Sequence, residues 1–330
     1  MPKKMLFIYP IWGMNASFIK KDMEILNSHF DLTPLYYRQD DRLFFLRVIK
    51  HLYGKDACFV WFGGIHAFWA WLACRILGKK HIIVAGGYDA IYMPEIEHGL
   101  RFEGKGWRRA YFAFRHADLV LAVSKWHLKS LQKECGPSEK FKILYHGFAD
   151  SCLISKGRQP DTVLMVCHLH KKNIALKGIE HYISVSKQMP HVKFILVGGG
   201  DKIIQRYLMS IAPKNMKILG SLPQKRVEEI MKVSKVYLQL SYVESFGCAL
   251  AEAMMCGCIP VVTRGGALPE VAGDKAFYVD YGDIPAIVSA IKNALVQDNG
   301  DIFRKHILKL FPIKAREEAL LRICEDDAES

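Results

Sequence analysis

What most constrains this chain is a repeated pairing of a short, continuously apolar run with a longer segment that has room for a helix. The runs fall at residues 5–9, 57–62, 81–84, 119–123 and 142–144, then at 162–167, 193–197, 236–240, 259–263 and 276–279. Runs such as Phe194-Ile-Leu-Val197 lack polar alternation, as strands do when helices cover both faces of a parallel sheet. The chain is therefore predicted to be α/β and doubly wound. Its 330 residues exceed what one core usually serves, so two domains are expected. The pattern breaks into a polar, Gly-containing stretch between Gly147 and Gln159. This places an N-terminal domain at 1–152 and a second at 153–312, with a final helix over 313–330 packing back on the first.

Composition excludes disorder, collagen and a disulfide-stapled miniprotein. The 9 cysteines contain no C-x-x-C pair and sit mostly in apolar runs, where a thiol behaves as a small hydrophobe. A reducing, cytoplasmic setting is expected. Cys256-Gly-Cys258 and His168-Leu-His170 hint at metal, but neither has a second ligand pair at a useful spacing, and no metal is expected. The uncharged stretch 57–74 has about the length of a membrane span, yet Gly63-Gly64 and His66 interrupt it. It reads as strand, turn and buried helix.

The formal charge is +13, and the first 150 residues hold 22 Lys+Arg against 14 Asp+Glu, so anionic partners are expected. Basic and aromatic residues mix in 42–50 and 107–115. Such helices suit an anionic membrane surface or nucleic acid. They equally suit an amphipathic helix whose aromatics enter the core.

Ligands of open parallel sheets bind beyond the carboxyl ends of the strands. Those ends carry Gly63-Gly64, Gly86-Gly-Tyr-Asp89 and Ser124 in the first half, and His168 to Lys172, Gly198-Gly-Gly200, Glu244-Ser-Phe-Gly247 and Arg264-Gly-Gly266 in the second. The segment Glu244-Ser-Phe-Gly-Cys-Ala-Leu-Ala-Glu252 is the most specific. Ser245 or Glu244 is expected to cap a helix starting near Phe246, whose free N–H groups favour an anion. In a continuous helix the two glutamates would lie roughly 12 Å apart along the axis. They could not share a proton, but they could hold hydroxyls at opposite ends of a long ligand.

Glu244 to Glu252 resembles the E-x7-E signature of the retaining glycosyltransferase family 4, whose fold is GT-B: two Rossmann-like domains facing across a cleft. Leu176-Lys-Gly-Ile-Glu180 is similar to its lysine-glycine motif, Phe194-Ile-Leu-Val-Gly-Gly-Gly200 to its glycine-ended strand, and Leu219-Gly-Ser-Leu222 to its loop against the nucleotide base. Ala122-Val-Ser124 and His146-Gly-Phe-Ala-Asp150 resemble its late first-domain strand and the approach to the linker. The resemblance implies transfer of a hexose from a UDP- or GDP-sugar to a glycan or lipid-linked acceptor, with retention of configuration and no metal or other cofactor. By matching position, Glu252 would hold the ribose, Glu244 the donor sugar and Lys177 the diphosphate. Gly13, Gly198, Gly199, Leu219, Ser245, Phe246, Gly247 and Cys248 would complete the donor site. Nucleic acid is not an implied partner.

The sequence departs from the family at two places. Cys167-His168-Leu169 stands where a glycine-arginine-leucine stretch is usual, so His168 would replace an arginine that is always charged with an imidazole that titrates near neutrality. Gly86-Gly-Tyr-Asp89 stands where many members carry a histidine, which makes Asp89 the candidate for contacting the donor sugar; its alternative is a loop-capping Asp. A dinucleotide site at Gly198-Gly-Gly200 is weak, because Ile203 occupies the third glycine position and no acid follows about twenty residues on. A sugar-nucleotide epimerase or hydrolase of GT-B fold, or a silent sugar-nucleotide binder, would carry the same donor residues.

Overall fold

The computed structural model describes residues 3–150 and 159–325, in two units. In the first, the order is β1 (Lys4–Pro10), α1 (Ser17–His29), β2 (Asp31–Tyr37), α2 (Phe44–Leu52), β3 (Ala57–Trp61), α3 (Ile65–Leu77), β4 (Lys80–Val84), α4 (Lys105–His116), β5 (Leu119–Ala122), α5 (Lys125–Cys135) and β6 (Phe141–Ile143). The second runs through β7 (Gln159–Val166), α6 (Lys171–Leu176), α7 (Ile179–Gln188), β8 (Lys193–Val197), α8 (Lys202–Ile211), β9 (Met216–Ile218), α9 (Gln224–Val233), β10 (Ser234–Gln239), α10 (Cys248–Met255), β11 (Ile259–Thr263), α11 (Leu268–Ala272), β12 (Phe277–Val279), α12 (Ile284–Leu295) and α13 (Gly300–Leu310). A last helix, α14 (Ile313–Glu325), follows, and the chain from Lys314 onward belongs to the first unit.

Each unit holds one 6-stranded sheet, in order β2-β1-β3-β4-β5-β6 and β12-β11-β10-β7-β8-β9, and every pair of neighbouring strands is parallel. The interior strands are covered on both faces: residues 57–61 of β3 and 259–263 of β11 are buried throughout. The two strands that the apolar pattern does not predict are both at sheet edges. In β2 only Leu35 is buried, and Pro34 interrupts the apolar pattern. Proline has no N–H to give, which an edge strand tolerates. β9 is three residues long and shows no period at all.

Helix α3 explains the apolar stretch that resembles a membrane span. Its small residues, Ala67, Ala70, Ala73 and Cys74, are buried against the core, while the bulky ones reach sideways to neighbouring helices. Trp69 meets Phe45 of α2 at 5.3 Å between centroids, and Trp71 meets Phe112 of α4 at 4.7 Å. A helix packed on several sides is apolar all round. Among the described residues, no helix is long and apolar enough to cross a membrane.

The domain boundary expected between 152 and 153 lies outside the described residues; the contacts divide the chain after Gly147 and again after Ile313. Within the second unit the outgoing and returning segments are paired, Phe148 N–H donating to Phe311 O at 2.9 Å and Ile313 N–H to Phe148 O at 3.0 Å. Within the first unit α14 is held by a buried ion pair. The Arg316 guanidinium donates through Nε to Asp22 Oδ1 at 2.6 Å and through Nη2 to Oδ2 at 2.7 Å, and its Nη1 donates to the carbonyls of Leu144 and Tyr145. Trp61 Nε1–H donates to the same carboxylate at 3.1 Å. Asp22 and Arg316 are 0 % and 4 % exposed, so each charge depends on the other for its solvation. Arg316→Ala is expected to destabilise the first unit by about 3–5 kcal/mol in denaturant titrations; an unchanged midpoint would show that α14 is held by its apolar contacts instead.

Four buried histidines make the first unit acid-sensitive. Burial pushes His66 down to about 4 and His81 and His127 to about 3, and it holds His146 well below its ordinary value, with Arg316 adding to the effect. Because these folded values lie below the unfolded one, their contribution is complete above about pH 6.5 and is lost as pH falls toward the folded values. Each group steepens the loss by up to about 1.4 kcal/mol per pH unit. All 6 tryptophans belong to this unit, so their fluorescence reports it alone. The urea midpoint followed by tryptophan emission is expected to drop between about pH 7 and about pH 5; a flat midpoint across that window contradicts the assignment.

Candidate functional site

In the second sheet the winding reverses between β7 and β10, the neighbours at the centre of the order. A reversal leaves a crevice beyond the strand ends, because the two flanking connections leave in opposite directions. The loops there meet through backbone. Tyr242 N–H donates to Leu176 O at 2.8 Å, Ala267 N–H to Glu244 O at 2.9 Å, and Thr263 Oγ1 to Ser241 O at 2.5 Å. Gly178 adopts φ +64, and a Cβ there would lie 2.4 Å from Leu240 O; at Gly266, with φ +67, it would lie 2.2 Å from Glu244 O. Only glycine fits either position. The result sets Lys177, the residue closing α6, against Glu244, beyond the end of β10.

Lys177 Nζ donates to Glu244 Oε1 at 2.5 Å, and the two side chains are 20 % and 13 % exposed. The same oxygen accepts from Gln239 Nε2 at 2.8 Å and from Ser241 Oγ at 2.7 Å. Oε2 has no hydrogen-bond partner among the described residues. One carboxylate oxygen thus fixes the side chain while the other is available to a ligand hydroxyl. Cys167, at the end of β7, lies in the field of the pair: burial pushes its thiol up to about 12, Lys177 opposing and Glu244 adding. It stays protonated and is no nucleophile at neutral pH. Gln239 and Ser241 went unremarked in the sequence. A polar residue closing the apolar strand Val236-Tyr-Leu-Gln239 is the signal that singles out Gln239, whose Oε1 is buried without a partner.

The E-x7-E segment is arranged differently from the sequence expectation. Helix α10 begins at Cys248, two residues later than expected, and its cap position is held by Gly247 at φ 98, not by Glu244 or Ser245. Glu244 lies in the loop, and the roughly 12 Å separation of a continuous helix does not apply. Phe246 is 1 % exposed, its ring against Phe148 at 6.1 Å and Phe311 at 5.1 Å; it is core, and only its backbone could meet a ligand. Cys248 opens α10 half-buried, and half-buried Glu252 in the same helix accepts from Gln224 Nε2 at 3.3 Å.

The glycines Gly198 and Gly199 have structural reasons of their own. A Cβ at Gly198 would lie 1.7 Å from Cys167 O, and at Gly199 2.5 Å from Ser221 Cβ, so both serve the crossing of neighbouring loops. Leu219 N–H continues the sheet, donating to Leu196 O at 2.9 Å. His168 is exposed, while His170 caps α6, accepting from Lys172 N–H at 3.3 Å. Cys256 and Cys258 are buried core thiols. Among the described residues, no group of three or more His, Cys, Asp or Glu is placed to hold a metal ion.

In the first sheet the winding reverses between β1 and β3, and a cavity of about 770 Å³ opens at the carboxyl ends there, lined by Pro10 to Trp12, Phe62 to His66, Asp89 and Arg109 among others. Asp89, expected to contact the donor sugar, is engaged by its own loop. It is 3 % exposed, and its carboxylate accepts from the N–H of Gly63 at 2.6 Å, Gly87 at 2.8 Å and Gly86 at 3.0 Å. Burial raises its pKa against the lowering effect of those amides. This is the loop-capping arrangement of the alternative reading. Gly13, buried in a 3-10 turn over Ile11–Asn15, leaves room for the Ile19 side chain, which a Cβ would approach to 2.7 Å. That packing accounts for the glycine without a phosphate.

Residues 155–308 match the family model of glycosyl transferases group 1. The chain is 24% identical over 222 residues to a subunit of the phosphatidylinositol N-acetylglucosaminyltransferase of Arabidopsis thaliana, covering 63% of this chain and 49% of that protein. It is 25% identical over 244 residues to N-acetyl-alpha-D-glucosaminyl L-malate synthase of Bacillus anthracis, covering 67% and 60%. The chain thus spans about half the length of the Arabidopsis relative. Among solved structures, Anabaena HepE in complex with UDP and glucose superposes with a TM-score of 0.80 at 16% identity, covering 98% of this chain and 100% of that one. Sucrose-phosphate synthase from Thermosynechococcus elongatus superposes at 0.79 and 14% identity, covering 98% of each. The group 1 match falls on the unit that holds Lys177 and Glu244, and the two parallel-sheet units have the GT-B architecture of those solved structures.

Proposed function

We propose that the protein is a retaining glycosyltransferase that moves a hexose from a UDP- or GDP-sugar to an acceptor hydroxyl in glycan or glycolipid synthesis. The observation that carries the reading is the Lys177–Glu244 pair at the reversal of the second sheet, braced by Gln239 and Ser241. A departing nucleoside diphosphate develops negative charge, and a fixed ammonium stabilises it where it develops. Lys177 and the N–H groups that open α10 would fill that role, so the proposed reaction needs no metal. Glu244 Oε2 accepts from the sugar, and Glu252 holds the ribose. No carboxylate stands as an evident nucleophile, which favours a front-face displacement in which the leaving phosphate takes the acceptor's proton. UDP in the HepE complex and N-acetylglucosaminyl transfer in the names of the relatives support a nucleotide-sugar donor.

The epimerase, hydrolase and silent-binder alternatives separate in one assay. With a panel of UDP- and GDP-sugars, nucleotide release is expected to require acceptor; release without acceptor favours hydrolysis, interconversion of the sugar without acceptor favours an epimerase, and neither with any donor favours a binder. Glu244→Gln is expected to lower turnover while leaving free nucleotide affinity near wild type, whereas Glu252→Gln weakens UDP or GDP binding by about 1–3 kcal/mol, the cost of an unmade charged hydrogen bond. Calorimetry with the nucleotide alone checks this; equal affinity in wild type and both variants removes the ribose role.

The proposed setting is the cytoplasmic face of a membrane, in keeping with the free cysteines. The two basic aromatic stretches divide on this point. In α4, Phe114 is buried and Phe112 packs on Trp71, so that stretch follows the amphipathic-core reading. In α2, Phe44 is buried, but Leu43, Leu46 and Tyr53 are 63 %, 61 % and 80 % exposed beside Arg42 and Lys50. Apolar side chains in water flanked by cations suit a peripheral lipid contact. The protein is expected to sediment with anionic vesicles at low salt and Leu46→Asp to release it; no sedimentation of the wild type at low salt favours a soluble acceptor.

A further inference from the structure

At the amino ends of the first sheet, the opposite end from the cavity beside Phe62, lies a second cavity of about 830 Å³. It belongs wholly to the first unit, between the starts of β3 to β6 and the ends of α3 and α4. Five cations line it, Arg75, Lys79, Lys80, Lys140 and Lys142, against the two carboxylates of Asp56 and Asp118. Each carboxylate is turned to a strand start: Asp56 accepts from Lys4 N–H and Asp118 from His81 N–H, both at 2.7 Å. Neither forms an ion pair with the lining cations among the described residues. The fold accounts for part of the positive charge. Lys80 Nζ donates to Ile323 O at 2.9 Å near the end of α14, and Arg75 stands in the last turn of α3, where helix carbonyls favour a cation. Lys140 and Lys142 stand at no helix end, and no side-chain hydrogen bond or ion pair engages them, Lys79 or Arg75 among the described residues. The two lysines flank buried Phe141 at edge strand β6, so alternation sets both on one face. Like charges gathered round a concavity raise its positive potential, which an anion relieves.

The lining also holds a polar group of a different kind. His81 is 1 % exposed, and neither of its ring nitrogens has a hydrogen-bond partner among the described residues. Alternation along β4 puts its side chain on the face of Ile83, which belongs to the same core cluster as Cys58 and Cys74. Trp71 and Cys74 of α3 line the same cavity, so His81 stands where the core meets it. Burial holds the imidazole neutral, its pKa lowered to about 3, so it carries one N–H and one bare nitrogen. Buried polar groups are nearly always paired, and this one borders a cavity large enough to bring it a partner.

We propose that this cavity binds a ligand bearing two or more phosphate groups, held by Arg75, Lys79, Lys140 and Lys142, with the His81 ring N–H donating from the side of the core. The site does not rest on the glycosyltransferase reading, since no residue of the second unit enters it. A free oligophosphate and a lipid headgroup share this chemistry, so tripolyphosphate serves as the soluble probe and cardiolipin, with its two phosphates, as the lipid one. Trp71 stands in the lining, so tryptophan emission of the full chain reports occupancy. Tripolyphosphate is expected to change that emission and to bind about tenfold or more tightly than inorganic phosphate. Lys140→Glu/Lys142→Glu is expected to weaken it about tenfold or more, while Lys105→Glu/Arg108→Glu, the same charge change at the far end of α4, leaves affinity within about twofold. His81→Phe exchanges two unpaired nitrogens for an apolar ring and is expected to weaken binding about threefold without lowering the urea midpoint. Equal losses in the two double variants, or unchanged affinity in His81→Phe, overturn the proposal. So does loss of the emission change in Lys177→Ala, which places the probe in the second unit. Sedimentation with cardiolipin vesicles that Lys140→Glu/Lys142→Glu loses and Lys105→Glu/Arg108→Glu keeps assigns the phosphates to a lipid; tripolyphosphate binding without such sedimentation assigns them to a free ligand.

Discussion

A parallel sheet can be covered on both faces only if its crossovers change direction partway across, and at that change the flanking loops part. Both sheets here obey this constraint, reversing between β1 and β3 in one and between β7 and β10 in the other. Each reversal carries the chemistry of its unit. Lys177 leaves the first connection after β7 and Glu244 the end of β10, so residues far apart in sequence meet at 2.5 Å. In the first sheet, the same constraint opens the cavity between the 3-10 turn after β1 and the Phe62 turn after β3.

Two carboxylates at strand ends show why residue type alone does not identify a site. Asp89 spends its oxygens on the N–H groups of Gly63, Gly86 and Gly87, and is buried beneath the loop it organises. Glu244 concentrates a lysine, an amide and a hydroxyl on one oxygen and leaves the second unengaged. The first arrangement removes a charge from chemistry to hold a fold. The second immobilises a charge and keeps a lone-pair face for a ligand, the preorganisation that a transition state requires.

Much of this was legible in the sequence, and the reasons for the rest are physical. Interior strands announce themselves because both faces are buried; β2 did not, because Pro34 is tolerated at an edge. Glu244, Lys177 and Glu252 stood out through motif order, but the helix start did not, since Gly247 caps through its backbone at positive φ and no side chain signals it. Phe246 looked like a ligand residue from its place in the motif, whereas its neighbours, Phe148 and Phe311, are distant in sequence. Asp89 was ambiguous because an Asp after two glycines fits a sugar contact and a loop cap equally well, and only the positions of the three amides decide.

The glycines at the strand ends of the two units are hemmed in by different kinds of neighbour. At four glycines of the second unit the space a Cβ would need is taken by backbone oxygen: Leu240 O at Gly178, Cys167 O at Gly198, Tyr242 O at Gly265 and Glu244 O at Gly266. No rotamer change relieves such a contact, so the loops that present Lys177 and Glu244 can be rebuilt only together. Around the first cavity the corresponding space is filled by side chains, Ile19 at Gly13, Phe114 at Gly63 and Phe62 at Gly86. Side chains can be exchanged one at a time with local repacking at modest cost. The loops that present Lys177 and Glu244 are therefore the less adaptable construction, and the rim of the first cavity the more adaptable one.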